Sequence, residues 1–334
     1  MATVFLHGQF MDARDAQISA FDAGFQHGVG LFETMLAVAS RDGSRPRVLH
    51  LWEHLERLRQ SAFDLGLASS IHTDALGEAI ERTCVKEAER SPDTQRFRIR
   101  VTLSGGDLNL LARRMTASPT GEPPAPHEPT LMIHVQPASS YPAEMFERGV
   151  RALVADMKAN PFDPGQGHKT LNYWSRLTEL QRAAAKGAGE SLVFQLTNHL
   201  AGGCVSNAFI VKDGALYTPI ARGEESEVAG GESDPSRPEP QQGPLTLPSP
   251  VLPGITRRWV LDWALASGLA AQRRMISIRD VLAADEVFLT NSSWGVLPVV
   301  AVEAEQIAAG APGEVTGRVM SAWNELAAGD DGSL

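Results

Sequence analysis

The chain reads as a mixed α/β (α+β) protein of two domains, and three observations predict it. Short apolar runs of strand length interleave with longer segments whose apolar residues recur every three or four positions, the spacing of a half-buried helix. At 334 residues the chain is long enough to bury two cores. Its 43% hydrophobic and 21% charged content is the balance of a globular chain, and no apolar run approaches membrane-spanning length.

The elements follow in order. Val4–Met11 reads as two short strands around the His7-Gly8 turn. Leu51, Leu55, Leu58, Ala62 and Leu65 form one apolar stripe on a helix, and Leu76, Ile80 and Cys84 mark a second helix ending near Arg90. Arg96–Leu103 alternates as a strand that stops at Gly105-Gly106. Ser118–Pro126 is a proline-rich loop, and Leu131–Val135 resumes strand. The domain boundary is expected near residues 150–158, giving domains of 1–155 and 156–334. Beyond it, Tyr173, Leu177, Leu180 and Ala184 make a helical stripe closed by Gly187 and Gly189. Leu192–Leu196 and Phe209–Val211 are strands, the latter turning at Asp213-Gly214. Residues 222–250 change to Glu, Gly, Ser, Pro and Gln with almost nothing to bury, so a disordered insertion is expected there. A helix from about Ile255 to Gly268 and a strand over Glu286–Thr290 complete the set.

Composition narrows the function classes. A formal net charge of −10 opposes any broad contact with nucleic acid or an anionic membrane, while leaving room for a local basic pocket. Two cysteines, Cys84 and Cys204, are too few for a disulfide framework and lack metal-ligand spacing. The first residues carry no basic stretch followed by an apolar run. The expectation is a reduced, cytoplasmic protein acting on a small molecule, without metal.

Four places carry candidate chemistry. Lys169 sits in Gly165-Gln166-Gly167-His168-Lys169-Thr170-Leu171-Asn172-Tyr173, just before an amphipathic helix, where a lysine is usually a solvated surface residue. Gly254-Ile255-Thr256-Arg257 opens a helix, so its free backbone N–H groups and the Thr256 hydroxyl suit a phosphate, although such a sequence also serves as a plain cap. Thr290-Asn291-Ser292-Ser293 ends a strand with hydroxyl and amide groups in reach of an anion, or merely makes a polar turn. Arg57 lies beside the leucine stripe, where its fork matches a phosphate or simply pairs with Glu53.

Taken in order, Phe32-Glu33-Thr34, His54-Leu55-Glu56-Arg57-Leu58, Lys169–Tyr173, Ser206-Asn207-Ala208-Phe209, Leu252–Arg257 and Ala284–Phe288 resemble the class IV aminotransferases. That group includes branched-chain and D-amino-acid aminotransferases and aminodeoxychorismate lyases. The resemblance covers nearly the whole chain outside the two proline-rich insertions. It implies a fold-type IV pyridoxal 5'-phosphate enzyme with a small α/β domain and a larger pseudo-barrel domain, working as a homodimer with the cofactor between domains. It also implies that Lys169 carries the cofactor as a Schiff base and moves the reaction's proton. Arg57, Ile255, Thr256 and Thr290 would hold the phosphate, with Asn207 and Tyr173 beside the cofactor. Arg98 would hold the substrate carboxylate, where branched-chain members place an arginine; it also reads as an exposed strand residue alternating with Arg96 and Arg100.

The sequence departs from the family pattern in four ways. Gly202 stands where the family has a glutamate that hydrogen-bonds the pyridine nitrogen, and no acidic residue lies between Gln195 and Asn207 to replace it. His27-Gly28-Val29-Gly30 replaces an aromatic followed by Gly-Asp-Gly, and reads as a tight loop between strands. Thr102-Leu103-Ser104-Gly105 lacks the arginine of D-amino-acid members. Thr290–Val299 is closer to the lyases than to branched-chain enzymes. Three functions therefore stand: amino-acid transamination, conversion of aminodeoxychorismate to p-aminobenzoate and pyruvate, and cofactor binding with weak or no turnover.

Overall fold

A computed structural model of the chain describes residues 2–40, 45–107, 129–226 and 247–328. The expected proline-rich loop at 118–126, and most of the expected insertion at 222–250, lie outside the described residues. Two compact units emerge: one runs to Ser140 and takes in Lys169–Tyr173, the other holds Tyr141–His168 and Trp174–Leu326. Among the described residues no helix is long and apolar enough to cross a membrane.

The first unit is built on a six-stranded antiparallel sheet. Its strands are β1 (Thr3–Leu6), β2 (Gln9–Asp12), β3 (Gly30–Val38), β4 (Arg47–Val48), β5 (Arg96–Ser104) and β6 (Thr130–Pro137), in the order β2-β1-β6-β5-β3-β4. The β1–β2 hairpin turns at His7 and Gly8, both with positive φ, which matches the right-handed twist of its strands. Strand alternation then sorts the faces. Met35, Phe97, Ile99, Val101, Ile133 and Val135 form one buried core with Leu51, Leu55 and Leu58 of α2 (Leu51–Asp64) and Leu76, Ile80 and Cys84 of α3 (Thr73–Arg90). Both predicted apolar stripes therefore face the sheet. Replacing a fully buried Leu55 by Ala would cost about 2–5 kcal/mol. The opposite face of β5 carries Arg98, Arg100 and Thr102.

The segment ahead of β3 differs from the sequence expectation of a tight loop between strands. A short helix, α1 (Ala23–His27), is capped by the Asp22 side chain and ends at Gly28 in the left-handed region. Gly30 then lets β5 and Leu171 approach: a Cβ there would lie 2.6 Å from the Leu103 carbonyl oxygen and 2.7 Å from Leu171 Cδ1.

The second unit carries a nine-stranded mixed sheet. Its strands are β7 (Val150–Ala159), β8 (Glu190–Gln195), β9 (Leu200–Gly203), β10 (Asn207–Lys212), β11 (Ala215–Thr218), β12 (Ala271–Arg273), β13 (Glu286–Asn291), β14 (Gly295–Val302) and β15 (Glu305–Gln306). The pairing order is β12-β11-β10-β13-β14-β7-β8-β9, with β15 on β14. Laid flat, β10 and β9 would stand five strand spacings apart, about 24 Å. Only three residues, Cys204–Ser206, join them, a reach of roughly 14 Å. The sheet must curl, and this is the half-barrel expected of the larger domain. A single helical turn, α4 (Glu144–Glu147), precedes β7. Parallel β7 and β8 are linked through α5 (Trp174–Ala185), and α6 (Ile255–Ala266) packs against β13.

Candidate active site

In the first unit, Lys169 is held beside β3 by the backbone. Phe32 N–H donates to the Lys169 carbonyl at 2.9 Å, and Leu171 N–H donates to the Gly30 carbonyl at 2.9 Å. The half-buried amine lies 4.2 Å from the Phe32 ring centroid and 5.4 Å from that of Tyr173, whose ring meets Phe32 edge-on at 5.0 Å. Lys169 and Tyr173, two of the expected site residues, thus form one cluster on an aromatic floor.

Arg57 is fixed by a buried acid rather than by Glu53. Its Nε donates to Glu33 Oε1 at 2.9 Å and its Nη2 to Oε2 at 2.7 Å, while His54 Nδ1 lies 2.8 Å from the same Oε2. Burial alone would push the Glu33 carboxyl up, but Arg57 and His54 overcome it and hold it at about 2. His54 itself is pushed down by burial.

The expected Arg98 shares its sheet face with a residue that sequence reasoning passed over. The Arg100 guanidinium stacks 3.8 Å from the Phe32 ring centroid, in the same cluster as Lys169. Alternation puts both arginines on one face; only the third dimension selects between them. Burial, then the neighbouring Arg98, lowers the pKa of Arg100. Opposite Arg100 on β6 stands His134, held at about 4 by burial and by these two arginines.

In the second unit, α6 opens on Gly254 with no side-chain cap, so its first-turn N–H groups, including those of Ile255 and Thr256, are presented as an anion site would need. Asn207 Nδ2 donates to the Leu252 carbonyl at 2.9 Å, and a Cβ on Gly254 would fall 1.8 Å from Asn207 Oδ1. Directly across from Asn207, on β13, the Thr290 Oγ1 is buried and makes no hydrogen bond. Thr256 is buried as well. Next to it, Arg257 is buried and its guanidinium makes four hydrogen bonds, to Glu224, Thr218 and the Pro219 carbonyl, so it is a structural member of the motif.

Gly202 is more than a glutamate missing its side chain. Its φ is +149°, and a Cβ there would lie 2.7 Å from the Ser206 carbonyl oxygen. The turn beyond it is gripped from two sides. The buried Glu190 carboxylate accepts from the N–H groups of Cys204 and Val205 and from the Ser206 hydroxyl, and Arg176 Nη1 donates to the carbonyls of Gly203 and Cys204. Burial raises the pKa of Glu190 against those hydrogen bonds. Its sequence signal was a lone acid two residues ahead of the apolar run Leu192–Phe194.

Comparisons with known proteins agree on one family. The description amino-transferase class IV matches residues 30–225 and 241–302. The branched-chain-amino-acid aminotransferase of Escherichia coli is 26% identical over 330 residues, covering 98% of this chain and 93% of that protein. The D-alanine aminotransferase of Staphylococcus haemolyticus is 25% identical over 328 residues, covering 97% and 98%. The crystal structure of an Escherichia coli branched-chain aminotransferase superposes with a TM-score of 0.78 at 25% identity, covering 99% of this chain and 96% of that one. A branched-chain aminotransferase of T.th., solved with pyridoxamine 5'-phosphate, shares the fold with a TM-score of 0.76 at 24% identity, covering 99% of this chain and 95% of that one.

Proposed function

The chain belongs to the class IV aminotransferases, and from that premise we propose that it exchanges the amino group between an amino acid, of the branched-chain class, and a 2-oxo acid. The cofactor is pyridoxal 5'-phosphate, bound covalently at Lys169. The observation that carries this reading is the orphaned, buried Thr290 hydroxyl opposite Asn207, in the unit whose helix α6 opens without a side-chain cap. A buried donor without a partner costs about 1–3 kcal/mol, and a phosphate oxygen is the acceptor that would offset it. The residues present fit the group.

When bound, pyridoxal phosphate supplies an aldehyde for imine exchange and a conjugated ring that accepts the electron pair left at the substrate Cα. The protein does the rest. Thr290, Thr256 and the N–H groups of Ile255 and Thr256 hold the phosphate, and Arg57, pre-aligned by Glu33, adds its charge. Lys169 moves the proton at the substrate Cα, its approach limited by the Phe32 and Tyr173 rings. Arg100 and Arg98 receive the substrate carboxylate. The enzyme works as a homodimer in the cytoplasm; the exposed Ile18, Phe21 and Phe25 of the first unit favour a second copy covering them.

A second reading is favoured by Gly202. Without a carboxylate at the pyridine nitrogen the ring draws electrons less strongly, which suits the aminodeoxychorismate lyase reaction, where the expelled pyruvate leaves an aromatic product. In the extreme, the same lack leaves a cofactor-binding protein with weak turnover.

Borohydride reduction of purified protein, followed by peptide mapping, tests the anchor. The cofactor should be fixed on the peptide carrying Lys169 and lost in Lys169→Ala; label on another lysine refutes the reading. Keto-acid formation from a panel of amino acids with 2-oxoglutarate, against p-aminobenzoate release from aminodeoxychorismate, separates the two reactions.

A further inference from the structure

None of the residues assigned so far explains how the turns leading into Lys169 are kept in place. Residues 160–168 form no helix or strand; their backbone bonds are turns, from Asp163 N–H to the Asn160 carbonyl, Gln166 N–H to that of Asp163 and His168 N–H to that of Gly165. Such a segment has little stiffness of its own. The amine it delivers has to meet the cofactor to within a fraction of an ångström, because a misplacement of about 1 Å costs on the order of 10²-fold in rate.

Support comes from an unexpected quarter. Residues 220–225 and 249–251 are stitched to each other. Arg222 N–H donates to the Val251 carbonyl at 3.0 Å, and the Ser249 hydroxyl donates to the Ile220 carbonyl at 2.7 Å. The Glu225 carboxylate accepts from Gly223 N–H on one side, at 2.8 Å, and from Ser249 N–H on the other, at 2.5 Å. Glu224 ties the same pair to α6 through its two bonds with the buried Arg257. The stitched pair lies directly on Gly167, two residues ahead of Lys169 in the chain. Gly167 is buried with φ of +79°, and a Cβ there would sit 2.8 Å from the Ser249 carbonyl oxygen and 2.9 Å from Arg222 Cδ. Beside it, Arg222 Nη1 donates to the Gln166 carbonyl at 3.2 Å.

We propose that Arg222 is a positioning residue for Lys169: with Ser249 it clamps the Gln166-Gly167 turn and so fixes the point from which the lysine is delivered. The clamp rests on the assignment of Lys169 as the cofactor anchor. Its two halves stand at the two ends of the 222–250 stretch, which is rich in Glu, Gly, Ser and Pro. In this assignment Arg222 acts through the backbone of Gln166, to whose carbonyl it donates.

The test uses full-length protein stripped of cofactor and then supplied with pyridoxal phosphate. Arg222→Met keeps the aliphatic stem over Gly167 and removes the donor. The expected result is at least a ~10-fold slower appearance of the borohydride-fixed adduct at Lys169, and a moved pH midpoint of the bound cofactor's absorbance band, with an unchanged thermal midpoint. Arg222→Lys, which can still donate to the carbonyl, should restore most of the rate. Attachment in Arg222→Met at the wild-type rate, with the wild-type pH midpoint, overturns the clamp. Should that variant fail to fold, Gly167→Ala pushes on the same contact from the other side, and normal attachment there overturns it equally. Label in the wild-type protein landing away from Lys169 would overturn the anchor assignment and the clamp with it, whereas label on Lys169 with indifferent variants removes the clamp alone.

Discussion

Asn207 and Thr290 stand directly opposite each other across β10 and β13, one with its amide engaged and the other with its hydroxyl unpartnered. Asn207 is tied to Leu252 and pressed against Gly254, so it fixes where α6 begins, and the proposed phosphate would give the Thr290 hydroxyl an acceptor. Replacing Thr290 by Val keeps the shape and removes the donor. Pyridoxal phosphate should then bind roughly 10- to 100-fold more weakly, the equivalent of one hydrogen bond to a charged group. The melting temperature of the cofactor-free protein should stay level or rise. Fluorescence titration checks the first and calorimetry the second; wild-type affinity in Thr290→Val would move the phosphate elsewhere.

Gly254 is the other half of that arrangement. In Gly254→Ala the new methyl collides with Asn207 Oδ1, and either the Leu252 bond or the start of α6 must give way. A loss of about 1–3 kcal/mol in urea denaturation is expected, together with weaker cofactor binding. Adding Asn207→Ala should return part of the stability, because it empties the space the methyl needs. A double variant that is simply the sum of its parts would mean the two residues do not compete.

Acid should weaken the first unit in two stages. His134 is held at about 4, below the ordinary histidine value of 6.5, so the unfolded chain binds more protons between those values and stability falls as pH drops through that window. Glu33 is held at about 2 against 4.5, so its contribution is complete above 4.5 and is lost as pH falls towards 2. Urea midpoints measured from pH 7 downward should therefore decline in both ranges. His134→Gln should reduce the decline in the upper range, leaving the part that belongs to the likewise depressed His54, and leave the lower range as it is. Glu33→Gln should cost on the order of 3–5 kcal/mol at neutral pH, since it removes the buried carboxylate charge that Arg57 and His54 both face.

The proposed carboxylate site gives Arg100 more weight than Arg98. Arg100→Met should raise KM for the oxo acid by about 10-fold or more, the loss of a charged contact, whereas Arg98→Met should move it less. Equal effects, or the reverse order, would return the carboxylate to Arg98.

Gly202 cannot be restored to a glutamate without strain. With φ of +149° and the Ser206 carbonyl 2.7 Å from any Cβ, Gly202→Glu should lose about 1–3 kcal/mol and leave the cofactor's absorbance largely unaltered. A variant as stable as wild type with a shifted band would show that the turn relaxes enough to offer the carboxylate.

Much of this was legible in the residues themselves. The leucine stripe of α2 and the alternation of β5 name both sides of the first core, because a helix and a strand each imprint their own period. Lys169, Thr290 and Gly254 could be picked out as motifs. The pairing of Arg57 with Glu33 could not, since the two are 24 residues apart and Glu53 is the neighbour a helix suggests. β7 was also hidden: its register shifts between Val154 and Lys158, so its apolar residues lose strict alternation. The capping box of Ser277 and Asp280, opening a helix of only five residues, was too short to declare itself. Arg222 carried no signal at all, for it lies in a low-complexity stretch and its partner is a backbone carbonyl.

The two cysteines give this protein a pair of internal reporters. Cys84 is sealed in the core of the first unit and Cys204 in the second; burial pushes both thiols up to about 12, so neither is a competent nucleophile while its surroundings stay closed. A thiol-directed reagent can therefore react only as fast as each region breathes open. With one cysteine removed at a time, labelling kinetics would read out the opening of each half of the molecule separately, without any engineered probe.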